Sequence, residues 1–174
     1  RQEFRAGRGK SSVPGEGGVP CRGGRGRCAP GGGGEGVGGR GRGETPLWGG
    51  CLCGSVRCTV HGPLREVLFC HCSQCRKMSG HFWAATSTAR DCIDIRQDGS
   101  LRWFKSSKEA ERGFCGHCGS SLFWNHAEKD TLSIAAGAFD RPTGLDTGAH
   151  IFFDDASDYY QVHPDEKTIS GSSF

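Results

Sequence analysis

Long apolar runs are absent from this 174-residue sequence. No stretch approaches the roughly 20 consecutive apolar residues that cross a bilayer. No short apolar block follows a charged N-terminus in the manner of a secretory leader. The membrane-spanning and exported classes are therefore set aside, and the chain reads as a cytoplasmic protein with no membrane partner. Methionine is almost missing, Met78 being the only one. Apolar residues of all kinds make up 34% of the chain. That is low for a globular protein, and the deficit traces to 30 glycines that are bunched rather than spread. No sustained 3.6-residue periodicity is present, which excludes a helical bundle.

The glycines gather in residues 1–46, together with Arg and Pro. This segment carries nine Lys/Arg against four Glu. Without apolar periodicity it cannot bury enough surface to offset its ordering entropy, so it reads as a disordered low-complexity tail. A folded domain over 47–174 follows. Gly24-Arg25-Gly26-Arg27 and Gly39-Arg40-Gly41-Arg42-Gly43 have the letters of an RNA-binding arm. They lack the interleaved aromatics on which bases stack, and no nucleic-acid partner is expected of them. Cys21 and Cys28 lie in this tail and read as bystanders.

From Leu47-Trp48 onward the sequence is a series of short strands. Ser55 to His61 alternates apolar and polar residues and stops at Gly62-Pro63, with Val56, Cys58 and Val60 on the inward face. Cys58 is thus read as a small core residue. Glu66 to Cys70 is a second strand. Ser73 to Met78 has room for one helical turn, capped by Ser73 and closed by Gly80. Cys92 to Ile95 and Leu101 to Phe104 are strands divided by Asp98-Gly99, a hairpin signal. Ser121 to Trp124, Thr131 to Ile134 and Ile151 to Phe153 extend the series. The fold class is mainly β, with short antiparallel strands and many turns.

Against these scarcities stands an excess of cysteine, eleven in all. Cys70, Cys72 and Cys75 fall within six residues, followed at once by Arg76 and Lys77. Disulfides explain such a cluster poorly, because neighbours this close are badly placed to pair. One soft cation explains it, and zinc is the usual one. Three protein ligands leave a fourth tetrahedral position for water, a substrate thiol or a histidine. His71 sits between two ligands, and in an extended segment its side chain points away from them. His81, His117, His126 and His150 are the distant candidates. Three thiolates on Zn²⁺ carry a net −1, which Arg76 and Lys77 would offset, or they would hold an anionic substrate. Cys51 and Cys53 open the domain, and Cys115 and Cys118 come about 60 residues later. Two plus two makes a closed all-thiolate tetrahedron of the structural kind. Gly54 and Gly119 each follow the second cysteine of a pair, where a positive φ turns backbone N–H groups toward the sulfurs.

Three motifs together resemble the glutathione-dependent formaldehyde-activating enzyme family, which includes S-(hydroxymethyl)glutathione synthase and centromere protein V-like proteins. They are Gly49-Gly50-Cys51-Leu52-Cys53-Gly54-Ser55-Val56-Arg57, Cys70-His71-Cys72-Ser73-Gln74-Cys75-Arg76-Lys77 and Phe114-Cys115-Gly116-His117-Cys118-Gly119-Ser120. The resemblance covers about residues 47 to 165. It implies a β-tent fold with two zinc sites per chain. Cys51, Cys53, Cys115 and Cys118 would hold a structural zinc, and Cys70, Cys72 and Cys75 a catalytic one. The implied reaction is that of a carbon–sulfur lyase run in reverse, joining the thiol of glutathione to formaldehyde. The chain departs from the family where a Trp is expected after His150; Tyr159-Tyr160 stands there instead.

Two functions follow as expectations. The first is a zinc-dependent lyase-type enzyme acting on glutathione or a similar small thiol and on formaldehyde or a related carbonyl. Arg76 and Lys77 would hold the glutathione carboxylates. Phe82, Trp83, Phe123 and Trp124 would wall the pocket or pack in the core. The alternative is a non-catalytic, zinc-stabilised module that binds protein or nucleic acid.

Overall fold

A computed structural model describes residues 46–171. The expected tail therefore lies, apart from its last residue, outside the described residues, as do Cys21 and Cys28. The described chain is mainly β, as its strand-length alternations predict. In order it forms β1 (Leu47–Gly50), β2 (Val56–Val60), β3 (Val67–Cys70), helix α1 (Ser73–Ser79) and β4 (Trp83–Ala89). β5 (Ile93–Gln97), β6 (Leu101–Lys105), β7 (Ala110–Cys115), β8 (Ser121–His126) and β9 (Thr131–Ala135) follow. β10 (Thr147–Ile151) and β11 (Thr168–Ile169) complete it. No helix among the described residues is long and apolar enough to cross a membrane.

The strands form two sheets. One has the order β1-β2-β5, and the other β11-β10-β3-β4-β9-β8-β7-β6. Pairing is antiparallel except at one end of the larger sheet, where β10 lies parallel to both β3 and β11. Sequence patterning carries no signal for that exception, because parallel and antiparallel neighbours of a short strand read alike. The alternation in β2 does its expected work. Val56, Cys58 and Val60 are buried and meet Leu122, Phe123, Leu132 and Ile134 of the larger sheet. The core is therefore the layer between the two sheets. Cys58 belongs to it as a free thiol, and burial pushes its pKa up to about 11.

Three local expectations are corrected. Asp98-Gly99 does not close a hairpin: β5 pairs with β2, whereas β6 pairs with β7. The turn there carries the chain from one sheet to the other. Its bonds are local, with Gln97 Oε1 accepting from the Gly99 N–H (2.6 Å) and Asp98 Oδ1 from the Ser100 N–H (3.1 Å). Side-chain turns of this kind need no ladder beside them. The helix cap is Cys72 rather than Ser73: the Cys72 sulfur accepts from the Cys75 N–H at 3.5 Å. Gly80 closes the helix as expected, in the left-handed conformation with its N–H on the Arg76 carbonyl. The strand toward Phe153 stops at Ile151, because Phe152 takes φ 53° and turns the chain out of the sheet.

Phe123 is 1% exposed in the layer between the sheets. Phe123→Ala should cost about 3–5 kcal/mol, from lost transfer energy plus the cavity left behind. Denaturant unfolding of the metal-saturated protein checks this; a loss below about 1 kcal/mol would show that the inter-sheet layer is not the core.

Candidate active site

Two groups of cysteines converge in space. The first is Cys51, Cys53, Cys115 and Cys118, whose four sulfurs all lie within 4.8 Å of one another. Cys51 and Cys53 come from the loop after β1, and Cys115 and Cys118 from the end of β7 and its turn. Sulfur–sulfur distances of 3.5 Å (Cys51–Cys53) and 3.7 Å (Cys53–Cys115) are close to the edge of a metal–thiolate tetrahedron. Metal–sulfur bonds of about 2.3 Å give such a tetrahedron an edge of about 3.8 Å. The donor set therefore fits one soft cation. The flanking glycines behave as the chemistry requires: Gly54 has φ 83° and Gly119 φ 76°. A residue with a Cβ is strained at either angle. The Val56 N–H donates to Cys51 Sγ at 3.2 Å. The Ser120 hydroxyl, 3.2 Å from Cys118 Sγ, holds that thiol down at about 5.

The second group is Cys70, Cys72 and Cys75, again with all sulfurs within 4.8 Å. Cys70 ends β3 between two neighbours, opposite Trp83 of β4 and Ile151 of β10. Cys72 caps α1, and Cys75 is its buried residue. The thiols of Cys70 and Cys75 both hydrogen-bond toward Cys72, which holds the Cys72 thiolate well below the usual thiol range and pushes Cys70 up. One sulfur of the three thus carries charge most readily. Among the described residues no fourth His, Cys, Asp or Glu joins this group.

None of the histidines among the described residues joins the three sulfurs. His71 is fully buried and points away from the sulfurs, as its place between two ligands predicts. Its Nε2 lies 2.7 Å from His150 Nδ1, and its Nδ1 meets the Tyr160 hydroxyl. Burial, then the His150, His81 and Arg76 charges, lowers its pKa to about 4. His150 in turn approaches Glu166 at 3.4 Å. His81 joins the same aromatic group, edge-on to Phe82 and tilted against Tyr160. His117 pairs with the Ser55 hydroxyl beside the four-cysteine group.

The three-cysteine group forms one wall of a cavity of about 590 Å³. Trp83 and Trp124 line it, whereas Phe123 is core and Phe82 packs with the histidines behind the loop. Arg76 and Lys77 are outside the lining. Arg76 donates to the His71 carbonyl (3.2 Å), and Lys77 is exposed on α1. The cations that do line the cavity are Arg65, Arg112 and Lys129, joined by His126. Arg65 is held across β4 by the Ser87 hydroxyl (3.1 Å) and the Ala85 carbonyl (3.2 Å). Lys129 Nζ stands 6.0 Å over the Trp124 ring. Arg112, 5% exposed, brings Nη2 to 3.6 Å from Cys75 Sγ. Sequence reasoning passed over the three cations and named His126 only as a distant candidate for the fourth ligand. Only Arg112 left a trace there, as a charged residue at an inward position of β7 beside Ala110.

An open three-sulfur group on a cationic cavity and a closed four-sulfur group away from it is the division that the motif spacing suggests. Over 114 residues the chain is 28% identical to an uncharacterized lyase of Schizosaccharomyces pombe, covering 64% of this chain and 82% of that protein. A crystal structure of a Rhodobacter sphaeroides protein aligns with 70% of this chain and 98% of its own, at 18% identity and a TM-score of 0.47. The pattern that defines the glutathione-dependent formaldehyde-activating enzymes matches residues 46–155, and the chain belongs to that family.

Proposed function

We propose that this protein is a zinc-dependent carbon–sulfur lyase-type enzyme that joins a small thiol, glutathione or a close analogue, to formaldehyde or a related carbonyl. The observation that carries the reading is the contrast between the two sulfur groups. Three converge on the wall of a cavity without a fourth donor among the described residues; four converge away from it. In this reading Cys51, Cys53, Cys115 and Cys118 hold a structural zinc, and Cys70, Cys72 and Cys75 a catalytic one. When bound, zinc supplies a Lewis acid at which a thiol gives up its proton at neutral pH.

The chain's own residues supply the rest. Cys70, Cys72 and Cys75 present an electron-rich face, so a sulfur beside them stays nucleophilic. Trp83 and Trp124 exclude water from the reacting atoms. Formaldehyde is small and reactive, so placing a thiolate next to it is most of what catalysis needs. The carboxylates of a glutathione-like thiol need cations in the cavity wall. Arg65 and Lys129 meet that need better than Arg76 and Lys77, which lie outside the lining. Thiols that remain reduced suit a reducing compartment, and the cytoplasm is the place we propose. The seven cysteines gathered in two groups that could hold a metal support it.

The test is a metal count with cobalt as reporter. The expected result is two metals per chain and a visible-spectrum change on adding reduced glutathione. Cys72→Ser should keep the fold and one metal yet lose that change and at least about 100-fold in turnover. Cys115→Ser should lose the folded domain, because the binding energy of a closed site is folding energy. A chain that loads two metals and ignores every thiol would instead be the zinc-stabilised binding module.

A second measurement separates the cations. Lys129→Ala and Arg65→Met should each raise the glutathione KM about tenfold with kcat little changed, the signature of lost uniform binding. Arg76→Ala and Lys77→Ala should leave KM within about twofold. The reverse pattern would return the carboxylates to the helix.

A further inference from the structure

Arg112 is the odd cation of the cavity. It sits on β7 between Phe104 of β6 and Trp124 of β8, on the Ala110 side of the strand. At 5% exposed it is a charge taken out of water, which costs several kcal/mol unless it is well paired. Its pairing is poor. Nη2 makes two long contacts, to Gln74 Oε1 at 3.4 Å and Cys75 Sγ at 3.6 Å. Nε is enclosed with no partner among the described residues. Nη1 has no hydrogen bond among them either, yet it is not one of the enclosed orphans. Arg112 lines the cavity, and Nη1 is its one nitrogen that is neither bonded nor enclosed, which leaves it as the donor for a guest there. A buried guanidinium with unspent donors, beside a reactive sulfur group and facing a cavity, is arranged for an anion that is not always present.

A carboxylate is a poor candidate for that anion. Held this close to three thiolates it would be repelled in the ground state and in the transition state alike. An oxygen that is neutral on arrival and gains charge only during reaction escapes the ground-state part of that repulsion. It gains most from a donor already in place. We infer that Arg112 is a catalytic residue of the proposed reaction, its Nη1–H donating to the carbonyl oxygen of the aldehyde as that oxygen becomes an alkoxide. The inference rests on the carbon–sulfur reading above. The lone pair of the substrate sulfur forms the new S–C bond, and the C=O π pair moves onto oxygen, where Arg112 holds it. The oxygen then takes up one proton, equal in count to the one lost by the thiol. Thiol and aldehyde sum to the hemithioacetal, with nothing oxidised or reduced.

The experiment compares wild type with Arg112→Gln, each carrying its full metal complement. The expected result is a kcat about 100-fold lower, the usual loss for one oxyanion donor. Glutathione KM and the cobalt spectral change on thiol addition should stay unchanged, because the thiol is bound by other groups. Guanidinium ion at millimolar concentration should restore part of the turnover of Arg112→Ala, and methylammonium should not. If Arg112→Gln does not fold, Arg112→Lys carries the same test, its shorter ammonium falling short of the oxygen. Three results would overturn the assignment: turnover within about threefold of wild type, a loss confined to thiol KM, or a second metal missing from the variant. A wild-type protein with two metals that binds no thiol and forms no hemithioacetal overturns the carbon–sulfur reading itself, and the assignment with it.

Discussion

Two turns, 62 residues apart in sequence, bring four sulfurs to one centre, with Cys53 Sγ and Cys115 Sγ only 3.7 Å apart. Much of the described structure depends on this convergence. The first turn leads into β2, which carries the inward face of the small sheet, and the second ends β7, the penultimate strand of the large one. A cation shared by both would join the two sheets at one edge of their common core. Structural zinc in small domains contributes about 10–16 kcal/mol of apparent binding energy, which is folding energy when the site does not exist beforehand. Four uncompensated thiolates at such distances would instead repel one another, so the metal-free arrangement is held only by the turns and the core behind it.

The three-sulfur group is built differently, and its support lies behind it. Backbone alternation sends Cys70 and Cys72 to the cavity and His71 the other way. On that far side a row of polar groups runs from Tyr160 through His71 and His150 to Glu166, packed among the rings of Phe69, Phe82 and Phe153. Burial disfavours charge on both imidazoles. Two neutral rings can share one hydrogen bond, whereas two protonated ones could not. The backbone N–H of His71 donates to the Ile151 carbonyl, and the backbone N–H of His150 to the Lys167 carbonyl. The C-terminal residues around β11 thereby hold the loop that presents the sulfurs. The tyrosines that stand where the family resemblance leads one to expect a Trp fall within this support: Tyr160 reaches His71, and Tyr159 reaches the Gly80 carbonyl.

The cavity shows how charge is distributed across such a site. Arg65 and Lys129 lie on its walls, and Arg112 lies against the sulfurs. Arg76 and Lys77, adjacent to the cysteines in sequence, are turned away by the helix that carries them. Successive residues on α1 point about 100° apart. Once Cys75 faces inward, Arg76 and Lys77 are directed along the outside, where Arg76 finds the His71 carbonyl.

Much was legible in the residues alone. Alternation in Val56-Arg57-Cys58-Thr59-Val60 identified a strand, its buried face and the inert role of Cys58. Cysteine spacing, a property of the covalent chain, marked two pairs and one triplet of sulfurs, because a short turn brings its own side chains together wherever it is placed. Long-range neighbours left no such mark. Asp98-Gly99 looked like a hairpin, since a local turn has the same letters whether its strands pair with each other or with others. The cations of the cavity come from the segment before β3, from β7 and from the turn after β8, and only folding brings them beside Cys70, Cys72 and Cys75. The sequence by itself determined which neighbouring sulfurs lie together, because that depends on distances of a few bonds; bringing Cys51 and Cys53 to Cys115 and Cys118 took the fold. Only the tertiary structure decided which charges face that centre, because charge acts through space and not along the chain.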